Sequence, residues 1–474
     1  MIAQTSPARQ ANFTELLLDG ITPIAAYDAV RRSLRGPSFL LESAPGAGEL
    51  AQHSIIGVGS IGDVVASDGE VRVSTPSGTH TLAGSAVLDA ARLLLRECAP
   101  AFLESAYAPF VGAYGVATFE FAGYFERLPQ ANRTAQSPPD LHLIVPEHVI
   151  IFDHYTHTVT IVSLGDDRQQ SQKVAIADIA QTLSSARIGA LQAPEGGVQL
   201  RPCVAPRSFT SMVDSAKAAI HAGDIFQVVL SQVWSAFVGA DPYPVYRKLR
   251  SINPSPYMFY LELDDRVLLG SSPEMLCKLD GGLARLRPLA GTRPRPATSD
   301  EERAVARELR RDPKERAEHI MLVDLGRNDL GRVCDYGSIS VSELLAVERY
   351  SHVMHLVSEV RGVLRGDCDA FDLFAATFPA GTVSGAPKIR AMQLISELEG
   401  RRRGSYAGSV VRFGFDGSLD ACIVLRSADV RDGIASISAG AGIVADSVPE
   451  REDAECRAKA RALAQSVQAS GVLS

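Results

Sequence analysis

The chain has 474 residues, with 47 Lys and Arg against 55 Asp and Glu, which gives a formal net charge of −8. This acidic balance argues against a general nucleic-acid or membrane-surface binder, because both functions need a basic face. Hydrophobic residues make up 46% and charged residues 22% of the chain, which is the usage of a globular protein with a sizeable core and excludes disordered, collagen-like and coiled-coil chains.

Residues 11–165 show short β-rich runs separated by turn residues, for example at Phe39–Glu42 and His148–Phe152. One helix is predicted between Ala86 and Glu97, where apolar residues recur at helical spacing. Residues 166–206 hold a short helical pattern followed by a stretch rich in Pro and Gly, which we interpret as a connector.

Residues 207–466 show strands in clusters, with helices between the clusters. Helices are predicted at Ser211–Ala222, Asp300–Arg311, Pro313–Leu325, Ala370–Phe378, Pro387–Leu398 and from Glu450 onward. Strands are predicted at Ile225–Val233, Tyr257–Leu263, Arg266–Gly270, Leu276–Leu279, Gly408–Phe415, Ala421–Asp429 and Gly433–Ala439. Because strands and helices do not alternate one by one, the pattern favours an α+β fold with a largely antiparallel sheet.

The segment Gly57–Gly62 matches the pattern GxGxxG and follows a predicted strand. A dinucleotide-binding loop also needs a helix to begin there, so that its N–H groups meet the pyrophosphate. The residues that follow, with Asp68 and Gly69 between two Val-containing runs, indicate a hairpin instead. We therefore expect no dinucleotide site.

Targeting and disulfide signals are absent from the sequence. No run of about 18 apolar residues exists that could span a bilayer, and the polar N-terminus has no apolar signal region. The seven cysteines are scattered and form no CxxC pair, which favours a reducing compartment. We expect a cytoplasmic protein with no nucleic-acid or membrane partner.

Two predicted helices each carry a pair of carboxylates three residues apart, Glu315 with Glu318 and Glu452 with Glu455. Each pair also has a simpler interpretation, since Glu315 suits a capping box and Glu455 suits an ion pair with Lys459. If all four carboxylates point inward, they require a cation, because unpaired buried charge is very costly. Mg²⁺ commonly takes one or two carboxylates together with an anionic substrate oxygen, so this spacing suggests a magnesium site.

Seven motifs follow one another in the second half of the chain and carry a family resemblance. They are Gly223–Ser231, Gly270–Glu274, Pro288–Arg293, Lys314–Val333, His352–His355, Pro379–Lys388 and Gly440–Ser447. Together they resemble the chorismate-utilising enzymes, and within that family the large, aminase subunits of anthranilate synthases. The resemblance is dense over residues 208–460. It is looser in the first half, where Leu40–Ser43 and Ser54–Gly57 fit the pattern but Gln52 and His53 depart from it.

The resemblance implies a fold of two mostly antiparallel β-sheets packed as a sandwich core, with helices on the outside. It also implies a lyase that converts chorismate and ammonia to anthranilate and pyruvate, which is the first step of tryptophan biosynthesis. The implied cofactor is Mg²⁺, held by Glu318 and Glu455 with Glu315 and Glu452 beside them.

The same resemblance assigns roles to further residues. Glu274 would protonate the departing 4-hydroxyl, since a hydroxide leaves badly unless it is protonated. His355 would assist pyruvate elimination and aromatisation, with Thr382 hydrogen-bonded to it. The implied chorismate contacts are Gly291, Thr292, Tyr406, Arg426, Lys459 and the main chain of Gly440, Ala441 and Gly442.

Two positions distinguish the branches of the family. Water-adding members would need a lysine at the position of Gln227, because a lysine can act as a general base and an amide cannot. The common aminodeoxychorismate synthases carry a lysine at the position of Ala290, which can act as a nucleophile. Both residues favour ammonia as the nucleophile and anthranilate as the product.

The sequence contains no amidotransferase motif around a cysteine, so a separate glutaminase subunit would supply ammonia. The resemblance implies a heterotetramer of two large and two small subunits. It also implies feedback inhibition by L-tryptophan, bound by Ser43, Pro256, Tyr257 and Met258. Two alternatives stay open at this point: a synthase that stops at aminodeoxyisochorismate or forms aminodeoxychorismate, and a non-enzymatic partner that senses chorismate or tryptophan.

Overall fold

The computed structural model describes residues 10–43, 52–129, 131, 133–134, 136–164, 169–191, 200–203, 207–296, 298–349 and 353–468. Its strands, in chain order, are β1 (Asn12–Leu17), β2 (Ser38–Glu42), β3 (His53–Val58), β4 (Gly62–Ser67), β5 (Glu70–Thr75), β6 (Gly78–Ala83), β7 (Gly112–Ala117), β8 (Leu141–Val145), β9 (His148–Asp153), β10 (Thr158–Ser163), β11 (Arg201–Pro202), β12 (Gln227–Phe237), β13 (Tyr257–Leu263), β14 (Arg266–Ser272), β15 (Met275–Asp280), β16 (Leu283–Leu286), β17 (Leu289–Pro294), β18 (Ser340–Arg349), β19 (Val353–Val363), β20 (Gly385–Ala386), β21 (Ser409–Gly414), β22 (Leu419–Ile423), β23 (Ser427–Arg431) and β24 (Ile434–Ile443).

The helices of the described residues are α1 (Pro23–Ser33), α2 (Val87–Cys98), α3 (Gln169–Ser185), α4 (Phe209–His221), α5 (Tyr243–Ile252), α6 (Ser299–Arg311), α7 (Pro313–Gly331), α8 (Ala370–Thr377), α9 (Lys388–Glu399) and α10 (Pro449–Gln468). Short 3-10 turns cover Gly84–Ala86, Ala108–Phe110, Phe119–Tyr124 and Gly381–Val383. None of the described helices is long and apolar enough to cross a membrane.

The strands form two sheets of twelve. The first sheet has the order β1-β10-β9-β3-β2-β13-β14-β23-β24-β12-β11, with β20 beside β12. The second has the order β17-β19-β16-β15-β22-β21-β7-β8-β4-β5-β6, with β18 beside β19. Neighbouring strands are antiparallel, for example Val229 of β12 opposite Gly442 of β24.

The two sheets pack face to face around an aromatic and aliphatic core. Phe39 of β2 stacks on Tyr114 of β7 with the ring centroids 4.4 Å apart, and both side chains are buried. Helices α4, α5 and α10 pack on the first sheet, and α2, α7 and α8 pack on the second. The implied α+β sandwich is therefore confirmed.

Both regions of the chain contribute strands to both sheets. The first sheet joins β2 of residues 11–165 to β13 of residues 207–466, and the second joins β7 to β21. The helical pattern in the connector forms α3. The division into 11–165, 166–206 and 207–466 stays a prediction. Strands from residues 11–165 and from residues 207–466 lie together in both sheets.

The structure tests two local predictions, the hairpin after Gly57–Gly62 and the strand over Ala421–Asp429. The segment Gly57–Gly62 leads from β3 in one sheet to β4 in the other, and β4 and β5 form the expected hairpin, so no helix begins there. The single strand predicted over Ala421–Asp429 is wrong, since β22 ends at Ile423 and β23 begins at Ser427. Arg426 interrupts it with a φ of 47°, a left-handed conformation that breaks a strand.

Candidate functional site

Helix α7 presents the first carboxylate pair. Asp312 caps the helix and accepts hydrogen bonds from the backbone N–H groups of Lys314 and Glu315, at 2.9 and 3.2 Å. Pro313 occupies the first helical position, where its missing N–H costs nothing. The Glu315 side chain is not used for capping: its Oε1 accepts a 2.8 Å hydrogen bond from Nη1 of Arg293.

Glu318 lies one turn along α7 and faces strand β12. Its Oε1 accepts a hydrogen bond of 3.2 Å from Nε2 of Gln227. Burial and the nearby carboxylates of Glu315 and Glu455 raise the pKa of Glu318, while Gln227 and Lys314 lower it. The pairs on α7 and α10 therefore approach each other closely enough for like charges to interact.

The second pair, on α10, is less buried than the first. Burial and the Glu455 carboxylate raise the pKa of Glu452. Glu455 is about half exposed and forms an ion pair of 2.7 Å with Lys459, as the simpler interpretation predicted. Among the described residues, no three His, Cys, Asp or Glu side chains are close enough to form a ready metal-binding cluster. These carboxylates thus approach one another without forming a closed set of ligands.

Strand β24 brings backbone rather than side chains to the site. A Cβ atom on Gly440 would lie 2.7 Å from the hydroxyl of Tyr406, and one on Gly442 would lie 2.7 Å from Nε2 of Gln227. At Gly440 a Cβ would also lie 2.8 Å from the Leu230 carbonyl, so a larger residue there would displace the backbone, whereas at Gly442 it would displace the Gln227 side chain. Nζ of Lys459 donates to the Gly440 carbonyl at 2.9 Å, which holds the strand against α10.

Glu274 follows β14 and is buried, with 5% of its surface exposed. Burial raises its pKa to about 8, although the Thr382 hydroxyl, the Leu289 backbone and the Arg426 guanidinium each lower it. A carboxyl group of this kind is protonated at neutral pH and can donate a proton. The structure places Thr382 beside Glu274, close enough to lower its pKa, and the expected bond from Thr382 to His355 stays a prediction.

His355 lies on β19, opposite Thr292 of β17. Its Nδ1 lies 3.2 Å from the Gly291 carbonyl. Burial and the positive charge of Arg426 lower its pKa to about 4, while the Gly291 contact raises it. The imidazole is therefore neutral at neutral pH and available as a base.

Gly291 links the histidine to the carboxylates. It adopts a φ of 62°, and a Cβ there would lie 2.9 Å from Oε2 of Glu315. The backbone at Gly291 is thus held between His355 on one side and α7 on the other.

Arg426 and Tyr406 were expected to bind a carboxylate. Arg426 interacts electrostatically with both Glu274 and His355, and its Nη1 donates to Oδ1 of Asn253 at 3.3 Å. Burial raises the pKa of the Tyr406 hydroxyl above its ordinary range, so it stays a neutral donor. Arg426 therefore offers donors near the candidate acid and base, whereas the Tyr406 hydroxyl lies beside Gly440.

A separate cavity of about 240 Å³ lies between the two sheets and contains three of the four predicted regulatory residues, Ser43, Tyr257 and Met258. Pro256 immediately precedes Tyr257 but does not line the cavity. Apolar walls, carboxylates and cations meet there, which suits a zwitterionic ligand with an apolar side chain. The other lining residues are Leu41, Glu42, Gln52, His53, Ile55, Pro109, Phe110, Phe259, Lys278, Leu279, Asp280, Val410, Val411, Arg412, Ser418, Asp420 and Cys422.

Sequence reasoning missed several of these neighbours. Arg293 ends the motif Pro288–Arg293 but had been assigned no role, and Asn253 begins the segment that resembles the tryptophan site although no contact was predicted for it. Glu42 is buried behind Ser43, where its carboxylate accepts from the Tyr246 hydroxyl at 2.9 Å. Arg412 and Asp420 lie on neighbouring strands of the second sheet, and no sequence signal connects them with Ser43.

Comparisons with known proteins agree with the fold and the motifs. A model of the chorismate binding enzyme family matches residues 36–465. The chain is 42% identical over 464 residues to anthranilate synthase component 1 of Thermus thermophilus, covering 95% of this chain and 96% of that protein. It is 39% identical over 476 residues to the protein of the same name from Geobacillus stearothermophilus, covering 96% and 93%.

A solved structure supports the same relationship. The chain superposes on anthranilate synthase component I from Streptococcus pneumoniae with a TM-score of 0.78 at 33% identity, covering 95% of this chain and 99% of that one. The match extends through both sheets and the helices that carry the candidate site. The chain therefore belongs to the family of chorismate binding enzymes.

Proposed function

We propose that the chain is the large subunit of an anthranilate synthase and converts chorismate and ammonia to anthranilate and pyruvate. The observation that carries the proposal is the buried Glu274 carboxyl, whose pKa of about 8 keeps it protonated where a hydroxyl must leave. Relatives named anthranilate synthase component 1, aligned over nearly the whole chain, support the assignment.

Chorismate carries two carboxylates, and the site offers donors for one of them through Arg426, Tyr406 and the Gly440–Gly442 backbone. The other carboxylate would face the acidic residues of α7 and α10. Glu274 would donate its proton to the 4-hydroxyl as that group departs, and Arg426 would bind the enolpyruvyl carboxylate nearby. A carboxyl group kept neutral by burial suits this role better than an ionised one.

The acidic residues fit a magnesium ion that is completed by substrate. Glu318 lies among carboxylates that raise its pKa, an unfavourable arrangement that a divalent cation would relieve. Mg²⁺ commonly takes one or two carboxylates and keeps waters or substrate oxygens as its other ligands. Glu318 and Glu455 would hold the ion, with Glu315 and Glu452 beside them. When bound, it would act as a Lewis acid on the ring carboxylate.

Gln227 supports ammonia as the nucleophile. Its Nε2 donates to Glu318, while its Oε1 is buried and has no hydrogen-bond partner among the described residues. An amide oxygen accepts hydrogen bonds, so it can orient an incoming N–H group. It cannot remove a proton from water as a lysine amine could.

His355 would act after ammonia has added. Because its pKa is about 4, the ring is neutral and can accept a proton during loss of pyruvate and aromatisation. The Gly291 carbonyl at 3.2 Å would orient the imidazole through Nδ1.

The name component 1 of the relatives supports a partner subunit, and this partner would be a glutaminase that supplies the ammonia. The same proposal includes a heterotetramer of two large and two small subunits. L-tryptophan would bind in the cavity between the sheets, with its indole against Met258 and its ammonium near Glu42 and Ser43. Inhibition of this kind couples two separate sites, so tryptophan and chorismate would weaken the binding of each other.

Fluorescence of the purified chain with chorismate, Mg²⁺ and high ammonium at alkaline pH tests the function. We expect a rise of anthranilate emission that EDTA abolishes. Consumption of chorismate without emission would instead favour a synthase that stops at the aminated intermediate. Tryptophan binding without any consumption of chorismate would favour the sensing alternative.

A further inference from the structure

A buried ion pair lies behind the candidate site, outside the residues assigned to substrate. Glu399 ends α9 and Arg403 follows it in the next loop, and both side chains are almost completely buried, at 0% and 1% exposed. Nη2 of Arg403 lies 2.6 Å from Oε1 of Glu399, and its Nε lies 3.2 Å from both carboxylate oxygens. A pair this deeply buried is not expected to add much stability by itself, because desolvation offsets the attraction.

The remaining bonds of the guanidinium reach two other segments of backbone. Nη2 of Arg403 donates to the Val229 carbonyl at 2.6 Å, and Nη1 donates to the Val383 carbonyl at 2.9 Å. Val229 lies on β12, two residues from Gln227, and Val383 is the neighbour of Thr382. The planar guanidinium group of Arg403 therefore joins the segments that carry Gln227 and Thr382.

The carboxylate of the pair makes the complementary contacts. Oε1 of Glu399 accepts from the backbone N–H of Ser231 at 2.8 Å and from its hydroxyl at 3.0 Å. Ser231 is opposite Gly440 in the β12–β24 register, as Val229 is opposite Gly442. The pair thus holds β12 at the two positions that face the glycines of β24.

A residue from the first region of the chain, Glu120, holds the loop that contains Arg403. Glu120 accepts hydrogen bonds from the backbone N–H groups of Arg403 and Gly404, at 2.5 and 3.1 Å. The guanidinium carbon lies 4.5 Å from the ring centroid of Phe119 and 5.9 Å from that of Tyr406. The Tyr406 ring thus packs beside the same cation.

We propose that the Glu399–Arg403 pair is a positioning element, which holds the Gln227, Thr382 and Tyr406 segments and the Gly440–Gly442 strand in the geometry that binds chorismate. Neither residue is among the proposed chorismate contacts. The proposal rests on the proposed function for its substrate, and it adds a residue pair to which no role in the site has been assigned.

The first test is R403K. It keeps the positive charge beside Glu399, but one ammonium cannot reproduce a planar fork that reaches a carboxylate and two carbonyls. We expect kcat/KM for chorismate to fall at least tenfold, with a raised KM and a lowered kcat, while the affinity for tryptophan in the distant cavity is unchanged. The double variant E399L/R403M removes both charges of the pair, so it serves if R403K does not fold. It leaves no buried charge unpaired, because the other cation beside Glu399, Arg401, is 22% exposed and reaches water. It is expected to show the same kinetic loss.

R31M is the matched control, because Arg31 is similarly buried, at 10% exposed, and pairs with Asp28 far from the site. We expect it to lower Tm without changing kcat/KM. The proposal is overturned if kcat/KM of R403K or of the double variant stays at the wild-type value. It is also overturned if R31M loses as much kcat/KM as these variants for the same decrease in Tm. If the wild-type chain produced no anthranilate, the proposed function would fail, and calorimetric chorismate affinity of the same variants would test the positioning element separately.

Discussion

Asn253 accepts a hydrogen bond of 3.3 Å from Arg426, and this contact joins the two candidate sites. Asn253 begins the segment that enters β13, where Tyr257 and Met258 line the cavity between the sheets. Tyr257 is also paired with Ser272 of β14, close to Glu274. A ligand that moves this segment would therefore act on both a substrate contact and the candidate acid.

N253A should weaken the coupling between tryptophan and chorismate. Without the amide oxygen, a shift of the segment is no longer transmitted directly to Arg426. We expect the factor by which tryptophan raises the apparent KM for chorismate to fall on the order of fivefold, within the usual range of allosteric coupling. Inhibition curves at several chorismate concentrations measure this factor. S251A, at an exposed position two residues away, is the control, and unchanged coupling in N253A would exclude the route through Asn253.

E274Q should remove the general acid while keeping the size and hydrogen bonds of the side chain. We expect anthranilate formation to fall by about 10²–10⁴-fold. In the wild type, the protonated form is lost as pH rises through about 8, so the rate per concentration of free ammonia should decrease above that pH. The profile of E274Q should have no such alkaline limb. If E274Q still lost activity above that pH, the decrease would belong to the titration of another group.

H355N should separate amination from aromatisation. The neutral imidazole is lost as pH falls through about 4, so the wild-type rate should also decrease on the acid side of that value. In H355N we expect chorismate to be consumed while anthranilate emission falls by about 10²-fold or more. Mass spectrometry of the mixture should reveal an aminated, non-aromatic product. H80N, at an exposed position on β6, should behave as wild type, and equal loss of consumption and emission in H355N would contradict the assigned step.

E318Q should weaken the binding of magnesium. Replacing the carboxylate with an amide removes charge at the point where α7 and α10 approach, and the hydrogen bond with Gln227 can persist. We expect the Mg²⁺ concentration for half-maximal activity to rise at least tenfold, as expected when a ligand shell is disturbed. Titration of activity with Mg²⁺ measures this. D324N lies on the exposed side of the same helix and is the control, and an unchanged titration in E318Q would place the ion elsewhere.

Local sequence patterns predicted most of the elements in the second half of the chain. Tyr257–Leu263 was predicted with the bounds that β13 has, and the predicted start of α7 at Pro313 is also correct. These elements obey local rules, namely alternation of buried side chains in a strand and an Asp-Pro start for a helix. Arg426 shows the limit, because nothing in an otherwise β-rich run indicates that one residue adopts a φ of 47°.

The amino-acid sequence by itself determined which chemical groups this protein has: four paired glutamates, one glutamine in place of a lysine, and glycines where the backbone must approach closely. Only the tertiary structure decided their environment. Glu274 has a pKa near 8 and His355 a pKa near 4 because the packed sheets exclude water from them. Likewise, Arg403 reaches Val229 and Val383 only because β12 and the Gly381–Val383 turn fold against it. Desolvation and contacts between residues distant in the chain depend on the whole packed molecule, so no local pattern can specify them.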